Sequence, residues 1–205
     1  MATEMALALR SAVAARGRAS LAVSGGRTAA AVLPVLARED VPWARIATTL
    51  TDERWVPPDH PESNENLARR YLTETALTGL SNAAPTPEAG HPETERRLAR
   101  FPFPLDVVFL GMGEDGHIAS IFPGRPEVWA GGLCVPSRAP VPPHPRISLT
   151  LPALLAGRHA VLMVNGPVKR AVYEDAKATP PEERDPFPLR LLLHQKRMPV
   201  TVCLA

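Results

Sequence analysis

The chain has 205 residues, 45% hydrophobic and 21% charged, with 24 prolines, 13 glycines and a formal net charge of +2. Proline runs at more than twice its usual ~5%, yet proline plus glycine stays below the roughly 25–30% of low-complexity chains, so residues 1–205 read as one globular domain able to bury its own core. No run of eighteen apolar residues is present, which excludes a membrane-spanning helix, and no dense basic run supports a nucleic-acid partner.

Proline is costly inside helices and central strands, so its absences outline the elements. The window 1–33 reads as a helix over about 4–16, a turn at Gly17, a strand Ser20–Ser24, the pair Gly25-Gly26 and a second helix to about Arg38. Glu4 and Arg10 interrupt the apolar pattern of the N-terminus, unlike a signal peptide. A strand follows at Ala44–Leu50, then a helix over Ser63–Leu77 with Ser63 as N-cap, and a charged helix over Glu93–Arg100. The apolar run Leu105–Leu110 has the pattern of a strand buried on both faces. Two further strands are expected at Arg146–Thr150 and His159–Val164, a helix at Val168–Ala178 and a last strand at Val200–Leu204. The proline-rich stretches 85–92, 136–145 and 180–188 read as surface connections. Only Pro57, Pro58 and Pro123 are expected beside an active site. The alternation predicts an α/β fold, a three-layer sandwich with a mostly parallel sheet covered by helices on both faces. Cys134 and Cys203 form no disulfide framework or metal pattern, consistent with reduced thiols in a cytoplasmic protein.

Ligands of open parallel sheets bind outside the carboxyl ends of the strands. Three such ends carry chemistry. Ser24-Gly25-Gly26-Arg27-Thr28 joins a strand to a helix, so glycine backbone, free amides and two hydroxyls meet at a helix N-terminus, an arrangement suited to a phosphate. The same residues would also make a tight turn with nothing bound. The loop holds no P-loop lysine. Asp52-Glu53-Arg54 follows the second strand. Arg54 is a bidentate donor for phosphate or carboxylate, whereas Glu53 better fits a local salt-bridge cluster that stiffens the loop. Ser63-Asn64 closes that loop and could fold Asn64 back towards it.

Gly111-Met112-Gly113-Glu114-Asp115-Gly116-His117 follows the most buried strand. It satisfies G-x-G-x-x-G, but Pro123 cuts short the helix that should follow, and no acid stands about twenty residues on, so it does not read as a dinucleotide site. Instead Asp115 and His117, two apart around a glycine, can form a carboxylate-oriented base. A structural histidine or a metal pair would use the same residues, although no further ligands cluster in the sequence. Arg146 opens a late strand. Lys169, one of only three lysines against 20 arginines, sits at a helix start, where it opposes the dipole.

Taken together and in order, Ser24-Gly25-Gly26-x-Thr28, Asp52-Glu53-Arg54-x-Val56-Pro57 with Ser63-Asn64, and Gly111-x-Gly113-x-Asp115-Gly116-His117-x-Ala119-Ser120-x-Phe122-Pro123 resemble the 6-phosphogluconolactonase family. The segment Arg146–Pro152 and Gly166…Lys169 extend the resemblance over about residues 19–175. It implies a Rossmann-like fold and hydrolysis of 6-phospho-D-glucono-1,5-lactone in the oxidative pentose phosphate pathway. It implies no cofactor and no metal. The phosphate and substrate residues map onto Ser24, Gly25, Gly26, Thr28, Asp52, Arg54, Arg146 and Lys169, and the catalytic pair onto His117 and Asp115. The partner implied is a small phosphosugar lactone. A monomer is expected, with a homodimer left open. Glucosamine-6-phosphate deaminases share the glycine loop and the Asp-Gly-His segment, but carry tyrosine where this chain has Arg54 and Asn-Glu-Pro where it has Ile121-Phe122-Pro123. A non-enzymatic sugar-phosphate binder would not need the Asp115/His117 pair. Two departures from the family's pattern are Ala29, where proline is usual, and Ile118, where threonine is common.

Overall fold

The computed structural model describes residues 1–182 and 186–205. Its centre is a six-stranded, all-parallel sheet. The strands are β1 (Ala19–Val23), β2 (Ile46–Leu50), β4 (Ala76–Thr78), β5 (Val107–Gly111), β8 (Ala160–Val164) and β9 (Val200–Leu204), in the order β4-β2-β1-β5-β8-β9. All five residues of β1 are buried, as are Val107–Leu110 of β5, because helices cover the sheet. The flanking helices are α1 (Ala2–Arg16), α2 (Gly26–Leu36), α3 (Asn64–Tyr71), α4 (Pro87–Leu98), α5 (Leu151–Leu155), α6 (Pro167–Ala178) and α7 (Pro188–His194). The three-layer α/β arrangement expected from the alternation is the one found. No helix among the described residues is long and apolar enough to cross a membrane.

From β1 the chain runs outward through β2 to β4, then returns to β5 on the other side of β1 and runs outward through β8 to β9. The order therefore reverses between β1 and β5, the position where open α/β sheets form a crevice. A second sheet stands beside the carboxyl end of β2. It holds β3 (Asp52–Arg54), β7 (Pro145–Leu149) and β6 (Cys134–Arg138), paired antiparallel.

Several expectations need correction. The helix begun by Ser63 ends at Tyr71, not Leu77, and Ala76–Thr78 becomes edge strand β4 against β2. The stretch 85–92 is not a loop: α4 starts at Pro87, with Thr86 Oγ1 accepting the Ala89 N–H at 3.2 Å. Proline at the first helical position loses no intrahelical bond, and the helix continues through Pro92 because Thr94 and Leu98 pack inward. Within 136–145, residues up to Arg138 belong to β6. Pro136 is tolerated there because β6 pairs only with β7, so the missing N–H falls on an edge. Of the expected connection 180–188, residues 183–185 lie outside the described residues, and Pro188 opens α7, a helix the sequence reading did not assign.

A clasp joins α4 to β6. Glu95 accepts the Leu133 and Cys134 N–H groups at 2.8 and 3.0 Å and the Cys134 thiol at 3.3 Å, while His91 Nε2 meets the Cys134 carbonyl at 3.0 Å. Burial, reinforced by Glu95, pushes the Cys134 thiol up, so it acts here as a hydrogen-bonding thiol. Cys134 and Cys203 are both free.

Candidate active site

A cavity of about 550 Å³ opens at the β1/β5 reversal and extends to the second sheet. Its lining includes Ser24, Gly25, Gly26, Thr28, Asp52, Arg54, His117, Arg146 and Lys169, so four separate strand ends and β7 converge on one space. Asp115 does not line the cavity. It stands behind His117.

The imidazole is set by its own loop. Gly116 has φ +80°, which a side chain would resist, and the Gly113 N–H donates to the His117 carbonyl at 2.9 Å, closing a tight turn. A Cβ on Gly113 would stand 2.2 Å from His117 Nδ1, so only glycine leaves room for the ring. His117 Nδ1 lies 2.6 Å from Asp115 Oδ1, and that oxygen also accepts the His117 N–H at 3.2 Å. Burial alone would raise the Asp115 carboxyl, but the hydrogen bonds and charge of His117 outweigh it and hold it below its ordinary value. An ionised carboxylate only accepts, so Nδ1 carries a proton, and in the neutral imidazole this leaves the Nε2 lone pair free. The Phe122 ring packs on the imidazole, tilted by 51° with 4.7 Å between centroids.

Cations crowd the opposite wall. β3 and β7 pair so that Arg54 stands directly across from Arg146, and like charges in that register repel. Arg146 is nearly buried. Its Nε donates to the Pro143 carbonyl at 2.8 Å, and Arg54 Nη1 donates to the Glu62 carbonyl at 2.6 Å. Burial lowers the Arg146 guanidinium's affinity for its proton, and the neighbouring Arg54 adds to this against the pull of Asp52. Among the described residues, no carboxylate forms an ion pair with Arg27, Arg54, Arg146 or Lys169. An anion placed between them would relieve the repulsion.

Some candidates serve the scaffold. The Ser24 hydroxyl donates to the Phe109 carbonyl at 3.0 Å and lies 2.9 Å from Thr51 Oγ1, so it faces inward. Asp52 accepts from Ser120 Oγ at 2.6 Å and Thr51 Oγ1 at 3.2 Å, tying β3 to the turn after His117. Glu53 is not part of a salt-bridge cluster. Its carboxylate is fully buried and accepts from the N–H groups of Arg54, Asn64 and Glu65 and from Ser63 Oγ, at 2.7–2.9 Å. Burial pushes its carboxyl up, and these donors pull it back only in part.

The sequence reading missed Arg27, Ser120, Asn165 and the segment Ala139-Pro140-Val141 as cavity residues. Pro140 lines the space, whereas Pro57, Pro58 and Pro123 do not, which corrects the expectation for prolines. The β6–β7 hairpin carries Pro140 over the second sheet to the site, a placement no local pattern encodes.

The family model described as glucosamine-6-phosphate isomerases/6-phosphogluconolactonase matches residues 1–201. The chain belongs to this family. It is 38% identical over 213 residues to the 6-phosphogluconolactonase of Pseudomonas aeruginosa, covering 98% of this chain and 87% of that protein. The 6-phosphogluconolactonase of Rhizobium meliloti is 36% identical over 215 residues, covering 98% and 91%. Among solved structures, a 6-phosphogluconolactonase from Shewanella baltica superposes with a TM-score of 0.92 at 37% identity, covering 99% of this chain and 90% of that one. The Trypanosoma brucei 6-phosphogluconolactonase, at 20% identity and a TM-score of 0.80, shares the fold. In this family member the glycine loop, His117 and the arginine pair face one cavity, with Asp115 behind the imidazole.

Proposed function

We propose that this protein is a 6-phosphogluconolactonase that hydrolyses 6-phospho-D-glucono-1,5-lactone to 6-phosphogluconate, with His117 as general base. The observation that carries the mechanism is the 2.6 Å Asp115–His117 contact at the edge of a cation-lined cavity. His117 Nε2 takes a proton from water as the water oxygen attacks C1. Asp115 stabilises the imidazolium that forms. The tetrahedral intermediate then collapses, the bond from C1 to the ring oxygen breaks, and the ring oxygen takes the proton back from His117. The product is an open-chain acid that ionises.

The phosphate is held by the amides of Gly25 and Gly26 at the N-terminus of α2 and by the Thr28 hydroxyl, with Lys169 and Arg146 supplying charge. Asp52 positions the wall through Ser120. For the oxyanion, the Gly113 N–H is already spent on the His117 carbonyl and the Gly111 N–H faces Ser24 Oγ at 3.4 Å, which favours Arg54 as the donor. Anchoring the phosphate fixes the lactone relative to His117, so remote binding energy serves the reacting carbon. The deaminase alternative needs a carboxylate after the histidine segment, and Phe122 packs on the imidazole there instead.

Lactone hydrolysis measured above the spontaneous rate tests this. His117→Ala should lower kcat by roughly 10²–10⁴-fold with little change in KM. A native protein that gives no acceleration would remove the lactonase reading. Full activity in His117→Ala would remove the base.

A further inference from the structure

We propose that Glu53 and Asn64 are positioning residues that together set the height of the Gly25–Gly26 anion loop. Asp52 and Arg54, on either side of Glu53, both line the cavity, while Glu53 turns away from it and is fully buried. A buried carboxylate usually finds a cation. Glu53 instead sits on the N-terminus of α3, where Ser63 Oγ and the amides of Asn64 and Glu65 converge on it. This fixes the first residue of α3 against β3.

That first residue, Asn64, is only 3% exposed. Its Nδ2 donates to the Asp52 carbonyl at 2.8 Å, which locks the amide plane and its orientation. Oδ1 then points at Gly25, buried and, among the described residues, without a hydrogen-bond donor. A Cβ on Gly25 would lie 1.7 Å from Asn64 Oδ1 and 2.1 Å from its Cγ. The Asn64 amide is thus a spacer on which Gly25 rests. Gly25 has φ −104°, a value any residue adopts, so its glycine is required by Asn64 and not by the backbone. An orphaned buried acceptor costs stability. The fold keeps one here because the amide's position sets the loop. The line of force runs from the Glu53 carboxylate through the α3 N-terminus and the Asn64 side chain to the loop whose amides take the anion. As far as it concerns the lactone, this inference rests on the function proposed above. As far as it concerns anion binding, it stands alone.

The test is a size exchange. Gly25→Ala introduces the clash, Asn64→Ala removes the spacer, and the double variant pairs a new methyl with a new space. Affinity for inorganic phosphate is read by titration calorimetry on protein shown to be folded by circular dichroism. Each single variant should weaken phosphate binding about 10-fold, the scale of one lost hydrogen bond to a charged group. The double variant should recover to within about 3-fold of native. Glu53→Gln, which keeps the shape but turns a donor on the α3 amides, should weaken phosphate and raise KM for the lactone with kcat nearly unchanged. A merely structural role would lower the unfolding midpoint and leave phosphate affinity and KM alone. Unchanged phosphate affinity in folded Asn64→Ala, or strictly additive losses in the double variant, would overturn the proposal. If Glu53→Gln does not fold, the Gly25/Asn64 exchange decides. Native protein that binds phosphate but does not hydrolyse the lactone would overturn the function and leave this inference to the phosphate data.

Discussion

An imidazole lacking an oriented partner is a poor base because its tautomer and its angle are both free. In this protein the Asp115 carboxylate removes both freedoms with one oxygen, which accepts hydrogen bonds from His117 Nδ1–H and from the His117 backbone N–H. Asp115→Asn should therefore lower kcat, because the amide no longer stabilises the imidazolium that forms. Steady-state kinetics of the variant check this, and a kcat equal to the native value contradicts the assigned pair. The stability side has its own sign. The Asp115 carboxyl is held below its ordinary value, so whatever it adds to stability is present above the usual carboxylate range and fades as pH falls through its folded value. Half exposed as it is, that contribution is small.

At the scale of elements, the site depends on a few short braces, and not every brace touches it. Thr86 caps α4, whose Gly90 lies under the Trp55 ring, since a Cβ there would stand 2.3 Å from the indole. Thr86→Ala should cost about 1 kcal/mol, typical of a lost N-cap. Urea unfolding should show this as a lower midpoint at unchanged slope, with KM and kcat intact because α4 supplies no cavity residue. The same region shows where reading elements from proline fails. Between residues 72 and 98 a three-residue strand and a helix containing Pro92 both form. Their local pattern is ambiguous, and pairing with β2 and burial under Trp55 decide. By contrast the β1–α2 and β5 segments read correctly, since a short, largely apolar strand followed by glycines leaves few alternatives.

For the molecule as a whole, a formal charge of only +2 conceals an uneven distribution, with Arg27, Arg54, Arg146 and Lys169 gathered around one cavity. An anion that binds there binds the folded chain alone. Inorganic phosphate at a hundred times its Kd should therefore stabilise the fold by about 2.7 kcal/mol, seen as a rise in Tm with concentration. In Arg146→Ala the rise should need a higher phosphate concentration, and the lactone KM should increase with it. A phosphate-dependent Tm identical in native protein and Arg146→Ala would take Arg146 out of the anion site.

The amino-acid sequence by itself determined the chemistry held within single turns. Gly25, Gly26 and Thr28 share one strand-to-helix corner, and Asp115 and His117 stand two residues apart, so chain connectivity alone brings each set together. Tertiary structure decided which turns face each other. Arg54 meets Arg146 only because β3 leaves the main sheet to pair with β7. Pro140 reaches the cavity only through the β6–β7 hairpin, and Glu53 finds its Ser63, Asn64 and Glu65 donors only once α3 docks. Such pairings between remote segments carry no periodic signal, because they are selected by burial and by the accounting of backbone hydrogen bonds over the whole fold.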